Sequence, residues 1–275
     1  MIFGSLHDVS IPAIGLGTWD LHEEDCVRTV SFALQNGYRH VDTAVYYGNE
    51  KDVGEGIRAS GVDRTEVFLT TKVWWDQLSA EALLRSAEDS VKRLGTGYVD
   101  LLLVHWPNPD ISLKETIGGL LEAKSRGLTK SIGVSNFPSV LLWEAQELAD
   151  GHLITNQVEY HPFLSQNTLL QTCADLGMTL TAYCPIIKGR VADEPVLAEI
   201  AEKHGKSPVQ VTLRWHMQQD NVIAIPKSSN PDRLKANLDI FDFELSRDDM
   251  RRISALGSPA GRTIHADFAP DWDVD

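Results

Sequence analysis

The chain has 275 residues, 25 basic against 39 acidic side chains, and a formal net charge of −14. That surplus excludes a nucleic-acid backbone or an anionic membrane surface as the general partner, since both require a basic footprint. No apolar run approaches the roughly 20 residues of a membrane span, and no basic-then-apolar leader opens the chain. Short apolar runs predict strands over 13–17, 38–41, 67–71, 99–104, 131–134, 154–158, 179–182 and 222–225. Amphipathic stretches predict helices over 23–36, 50–59, 80–94, 113–126, 139–149, 166–176 and 195–204, then over 208–218 and 231–237. Ser79, Ser112 with Glu115, and Pro138 carry helix-start signals.

Strands apolar on both faces and separated by helices indicate a parallel sheet with right-handed crossovers. Eight of them predict closure into an α/β fold of the (β/α)8 TIM-barrel type, one domain spanning 1–275; a doubly wound open sheet is the alternative. Before the first barrel strand, residues 2–6 and 9–11 predict an N-terminal β-hairpin turning at His7-Asp8, placed to plug the barrel's N-terminal end. Residues 257–275 have no helical period and predict a C-terminal tail. Cys26, Cys173 and Cys184 are odd in number and scattered, which predicts free thiols and a cytoplasmic setting.

Catalytic groups of a barrel sit where strands deliver the chain to the C-terminal face. The residues at those points are Thr18-Trp19, Asp42, Lys72, His105-Trp106, Ser135-Asn136, Gln157, Tyr183 and Lys227. Loop starts are ordinarily Gly, Asn, Asp or Ser. Lysine, histidine and glutamine directly against buried strands are costly unless paired, so their recurrence points to an active site. A buried Asp42–Lys72 pair is poor evidence for stability, because desolvation offsets attraction, and a functional reason gains weight. Gly54-Glu-Gly-Ile-Arg-Ala59 matches a dinucleotide fingerprint, but it follows charged Glu50-Lys51-Asp52 rather than a buried strand. It reads as a helix interior with small residues for packing.

Gly15-Leu-Gly-Thr-Trp19, Asp42-Thr-Ala-x-x-Tyr47-Gly-Asn-Glu50, Lys72, the Leu-Leu-Val-His105-Trp-Pro run, Gly133-Val-Ser-Asn-Phe137, Asn156-Gln157 and Ile225-Pro-Lys-Ser228 together resemble the aldo-keto reductases. The likeness covers essentially the whole chain. The compact segment after Tyr183 and the tail around Phe268 and Trp272 are similar to bacterial 2,5-diketo-D-gluconate reductase-like enzymes. The resemblance implies a catalytic tetrad of Asp42, Tyr47, Lys72 and His105. It also implies NADP(H) as cofactor, a small carbonyl substrate, a monomer and no metal.

The chemistry of the tetrad reads independently. Reducing a carbonyl needs hydride at carbon and a proton at oxygen, and a free tyrosine with pKa about 10 is a poor acid near neutrality. A lysine cation about 4 Å away interacts by roughly 4 kcal/mol at an effective dielectric of 20, which predicts a lowered Tyr47 pKa. Asp42 holds Lys72 and takes back part of that effect. A neutral His105 orients the carbonyl.

By resemblance, Ser135, Asn136 and Gln157 hydrogen-bond the nicotinamide carboxamide and Tyr183 stacks on its ring. Lys227, Ser228 and Arg233 bind the 2′-phosphate, with Lys as point charge and Arg as fork. Gly17, Thr18, Asp42, Cys184, Pro185, Ile186, Ser229 and Asn237 complete the implied cofactor contacts. Lys188, with Arg190, lies in a short loop within reach of the pyrophosphate. Cys184 stands where the family often has serine, which weakens one cofactor contact, and Ala236 where many members have a glutamate near the adenine, while Asn237 is kept.

Trp19, Trp74, His105 and Trp106 are expected to wall the substrate pocket, with Trp272 folding over its mouth. Trp75 is expected to pack outward and Trp143 and Trp215 to be core, while Tyr46 is expected to point away with no role. Two other functions compete: a Schiff-base barrel lyase using Lys72, and a nicotinamide-binding regulatory subunit with little turnover. A paired Asp42 keeps Lys72 protonated and disfavours the first; an intact tetrad disfavours the second.

Overall fold

A computed structural model describes residues 3–6 and 9–274. Strands β1 (Phe3–Leu6) and β2 (Val9–Pro12) pair antiparallel, Phe3 opposite Pro12 and Leu6 opposite Val9. The expected turn at His7-Asp8 lies outside the described residues. Eight parallel strands follow in order: β3 (Leu16–Gly17), β4 (His40–Asp42), β5 (Phe68–Val73), β6 (Val99–Val104), β7 (Thr129–Ser135), β8 (Leu153–Glu159), β9 (Thr179–Tyr183) and β10 (Val222–Ala224).

The ring closes at β3. Gly15 N donates to Ala224 O at 2.9 Å, Ala224 N to Ala13 O at 2.9 Å and Gly17 N to Pro226 O at 3.1 Å. These bonds leave no free sheet edge, so the fold is the (β/α)8 barrel and not the open doubly wound sheet. Close approach there depends on Gly17, where a Cβ would stand 2.8 Å from Ile225 O.

The helices α1 (Glu23–Gln35), α2 (Glu50–Ser60), α3 (Ala80–Leu94), α4 (Leu113–Ser125), α5 (Ser139–Leu148), α6 (Asn167–Asp175), α7 (Pro195–His204), α8 (Pro208–Met217) and α9 (Pro231–Leu238) surround the sheet. Leu, Val, Ile and Ala side chains between the strands and these helices form the larger core. A second cluster of Ile11, Phe68, Leu101, Leu103, Ile154 and Ile223 is set apart from it, and Ile11 of the hairpin belongs to it. The hairpin thus closes one end of the barrel and leaves the strand C-termini open for chemistry.

The Gly54–Ala59 fingerprint lies within α2, where a Cβ on Gly54 would meet Leu94 O at 1.9 Å. It serves helix packing, as its context implied. The expected starts of α3, α4 and α5 are in place. Ser79 and Ser112 occupy N-cap positions without side-chain cap bonds, whereas Ser207 with Gln210 and Ser246 with Asp249 form complete capping boxes. The second of these starts α10 (Arg247–Ser254), a helix whose apolar stripe is too thin to be predicted from the sequence. Trp215 is core and donates from Nε1 to Ser254 Oγ at 3.1 Å, but Trp143 is 49% exposed on α5.

Candidate active site

Register brings the strand ends to one rim: Gly17 stands opposite Asp42, Ser135 opposite Gln157 and Glu159 opposite Tyr183. Asp42, at the end of β4, is 1% exposed and shared by two donors. Lys72 Nζ reaches Oδ1 at 2.5 Å and Gln157 Nε2 reaches Oδ2 at 2.8 Å. Lys72 also donates to Thr43 O at 2.9 Å and to the Tyr47 hydroxyl at 3.2 Å. All three ammonium protons are therefore engaged. An ammonium cannot accept, so the Tyr47 proton points away from Lys72, and among the described residues no acceptor takes it.

Tyr47 ends a 3-10 turn (Val45–Tyr47) and is half-buried. The expected lowering of its pKa is overturned. Burial pushes the phenol well above its ordinary range, and Asp42 and Cys184 push in the same direction. The reason is that removing water penalises the phenolate first. Asp42, 2.5 Å from Lys72, then cancels most of the attraction that a bare cation would exert. Tyr47 rests as a neutral phenol. Burial also lowers Lys72, and Asp42 opposes that shift.

His105 follows β6 and is 8% exposed, and burial followed by the Lys72 charge holds its pKa well below the ordinary histidine range. Its ring is neutral near neutrality, as expected. Nδ1 is buried without a partner among the described residues, and the ring sits in a cage of others, with centroids at 5.7 Å for Tyr47, 5.1 Å for Trp74 and 6.3 Å for Tyr46, all nearly perpendicular.

Tyr46 does not point away. It stacks between Trp19 (5.6 Å, 4°) and Trp74 (4.0 Å, 11°). Trp75 stacks on Phe268 of the tail at 4.6 Å, and Trp106 meets both Phe268 at 5.7 Å and Trp272 at 6.1 Å. Trp19, Trp74, Trp106 and Trp272 thus belong to one aromatic wall, extended by Tyr46, Trp75 and Phe268. Proximity of the last three to the tetrad depends on loop and tail placement, which no local pattern encodes.

The tail is tied down by Glu159, a fully buried carboxylate two residues beyond Gln157 on β8. Glu159 accepts from Thr263 N at 2.9 Å, from the Thr263 hydroxyl and from Ile264 N at 3.1 Å. A hydrogen bond with His161 at 3.2 Å, and then these bonds, hold its pKa below the carboxylate range despite burial. Arg262 lies 4.0 Å from Glu159 and 3.6 Å from the Trp272 ring centroid, and Asp273 accepts from Ser139 N at 3.0 Å at the start of α5. Glu159 lay within reach of the strand-end rule, since side chains two apart share a face.

The expected cofactor residues divide into two groups. Ser135 Oγ donates to Gln157 O at 2.7 Å, and Asn136, in left-handed backbone (φ 63°), donates to His105 O and accepts from the Tyr183 hydroxyl at 2.8 Å. Gln157 spends its amide on Asp42, and its side-chain carbonyl oxygen takes no bond among the described residues. Thr18 donates to Asp42 O at 2.9 Å. Beyond Tyr183 the chain turns sharply, with Cys184 at φ 49° and Lys188 at φ 52°; Pro185 is buried and Ile186 half-buried. The Cys184 thiol is pushed up to about 11 by burial and then by Glu159.

The other group lies beyond β10. Lys227, Ser229 and Arg233 are exposed and Ser228 is half-buried. Among the described residues Lys188, Arg190, Lys227 and Arg233 form no ion pair. Asn230 caps α9 by accepting from Asp232 N at 2.9 Å and Arg233 N at 3.0 Å, so anion binding there falls to side chains. Asn237, on α9, is 3% exposed, and the Tyr38 hydroxyl nearby donates to Leu234 O at 3.1 Å.

Known proteins agree with this architecture. The model of the Aldo/keto reductase family matches residues 13–258. Glyoxal reductase of Bacillus subtilis (strain 168) is 44% identical over 253 residues, 91% of each chain. A solved structure provisionally named 2,5-diketo-D-gluconic acid reductase B superposes with a TM-score of 0.97 at 45% identity, covering 100% of this chain and 98% of that one. A variant of Gox0644 in complex with NADPH superposes with a TM-score of 0.90 at 39% identity, covering 96% of each chain. The chain belongs to the aldo/keto reductase family.

Proposed function

We propose that this protein is a cytoplasmic, monomeric NADPH-dependent reductase of small aldehydes and α-oxoaldehydes, with Tyr47 as its general acid. One observation carries the reading. The Tyr47 hydroxyl accepts from Lys72 at 3.2 Å and, among the described residues, has no acceptor for its own proton, beside a neutral His105.

The residues fit a nicotinamide dinucleotide. Gln157 offers a free carbonyl oxygen beside Ser135 and Asn136, and Tyr183 sits half-buried with its hydroxyl anchored to Asn136. Unpaired cations at Lys227 and Arg233 in a chain of net charge −14 suit a 2′-phosphate, Arg233 as fork and Lys227 as point charge. Lys188 and Arg190 suit the pyrophosphate. Bound NADPH supplies the hydride. A substrate oxygen between Tyr47 and His105 receives a hydrogen bond from each, His105 using Nε2. As charge grows on that oxygen, Tyr47 gives up its proton, and the phenolate left behind is stabilised by Lys72. Asp42 keeps Lys72 cationic in a site where burial alone would deprotonate it.

The two rival functions make opposite predictions. Incubation of the protein with NADPH and methylglyoxal should consume one NADPH per aldehyde reduced, with no borohydride-trapped adduct on Lys72. A trapped adduct without NADPH consumption would favour the lyase. Tight NADPH binding without consumption across a panel of aldehydes would favour the regulatory subunit.

A further inference from the structure

Tyr46 precedes the proton donor in sequence, yet its surroundings are unlike those of Tyr47. Its ring lies between two indoles in a nearly parallel three-ring stack, 5.6 Å from Trp19 and 4.0 Å from Trp74. Half of the residue is exposed (53%), and its hydroxyl makes no hydrogen bond among the described residues. Nothing polar holds the ring in place; the two aromatic faces do. The Trp74 indole covers the ring closely at 4.0 Å, and the Trp19 indole stacks on it at a wider, offset spacing of 5.6 Å.

A flat ring needs roughly 3.5–4 Å of clearance on each side. The two spacings therefore leave room between Trp19 and Trp74 for one aromatic ring, and Tyr46 is that ring. The slot opens beside the reacting centre, since Trp74 lies 5.1 Å and Tyr46 6.3 Å from the His105 ring.

We propose that Tyr46 is a specificity-determining plug: it occupies the slot a flat aromatic aldehyde would enter and reserves the pocket for small, non-aromatic aldehydes. This rests on the reductase reading above. A small side chain at position 46 would turn the two indoles into the sides of a clamp for an aromatic substrate. The ring and not the hydroxyl does the excluding, so phenylalanine should substitute.

The test is the ratio of kcat/KM for 2-naphthaldehyde to that for methylglyoxal, with NADPH, in wild type, Tyr46→Val and Tyr46→Phe. NADPH affinity and melting temperature serve as folding controls. The plug predicts a ratio raised about tenfold or more in Tyr46→Val, chiefly through a lower KM for the aromatic aldehyde. Tyr46→Phe should keep the ratio within about twofold of wild type, and adding Trp19→Ala to Tyr46→Val should abolish the gain by removing one side of the clamp. A folded, NADPH-binding Tyr46→Val with an unmoved ratio overturns the plug alone. So does a Tyr46→Phe ratio that rises as far as that of Tyr46→Val. No NADPH consumption by the wild type with either aldehyde overturns the reductase reading and the plug with it.

Discussion

Gln157 donates to Asp42 Oδ2 at 2.8 Å, while the other oxygen of the same carboxylate holds Lys72 at 2.5 Å. The hydrogen bond crosses the barrel from β8 to β4 and joins a residue expected at the cofactor's carboxamide to the anion behind Tyr47. A disturbance at either end must reach the other.

Asp42→Asn tests how much this anion does. It leaves Lys72, fully buried, without a counter-charge, which costs about 3–5 kcal/mol. Thermal melting should fall by roughly 10 °C and turnover should drop with it. A melting temperature within about 2 °C of wild type would mean that Lys72 rests neutral in the folded protein.

Arg233→Ala should weaken NADPH binding by about tenfold or more, as expected for losing a charge-assisted contact. NADH binding should change by less than about twofold, because it lacks the 2′-phosphate that Arg233 would clasp. Fluorescence titration of both cofactors decides; equal losses would move the phosphate site elsewhere.

Stability should fall in acid through buried histidines. His216 is fully buried, and burial followed by the nearby His161 pushes its pKa down to about 3. In the unfolded chain it titrates near 6.5. Between those values the unfolded state binds a proton that the native state refuses, so stability rises with pH across that window and is lost as pH falls through it. His105 shifts in the same direction. Urea unfolding at pH 7 and pH 5 should differ by roughly 2 kcal/mol for each such histidine. His216→Gln should reduce the dependence; an unchanged slope would contradict the burial argument.

The tail should depend on Glu159. Glu159→Ala removes the acceptor of Thr263 and Ile264 and the carboxylate nearest Arg262. Trypsin should then cleave after Arg262 faster than in wild type, and KM for the aldehyde should rise more than kcat falls. Equal cleavage rates would show that the aromatic contacts of Phe268 and Trp272 hold the tail unaided.

Much of this was legible in the sequence because a barrel turns position into function. Asp42, Lys72, His105, Gln157 and Tyr183 could be read from strand ends, since parallel strands deliver their C-termini to one rim. What stayed hidden depended on contacts between distant segments. Tyr46 has no local signal of its own; its place comes from Trp19 and Trp74 arriving on either side. The pKa of Tyr47 was misread because pairwise attraction can be calculated from residue types, whereas desolvation needs the burial that only the folded chain supplies.

The central claim is that the Tyr47 hydroxyl delivers the proton. The direct measurement is NADPH consumption with methylglyoxal by wild type and Tyr47→Phe, alongside NADPH titration of both. The account predicts a fall in kcat of about 100-fold to 10,000-fold with NADPH affinity retained. Comparable turnover in the two proteins would contradict it.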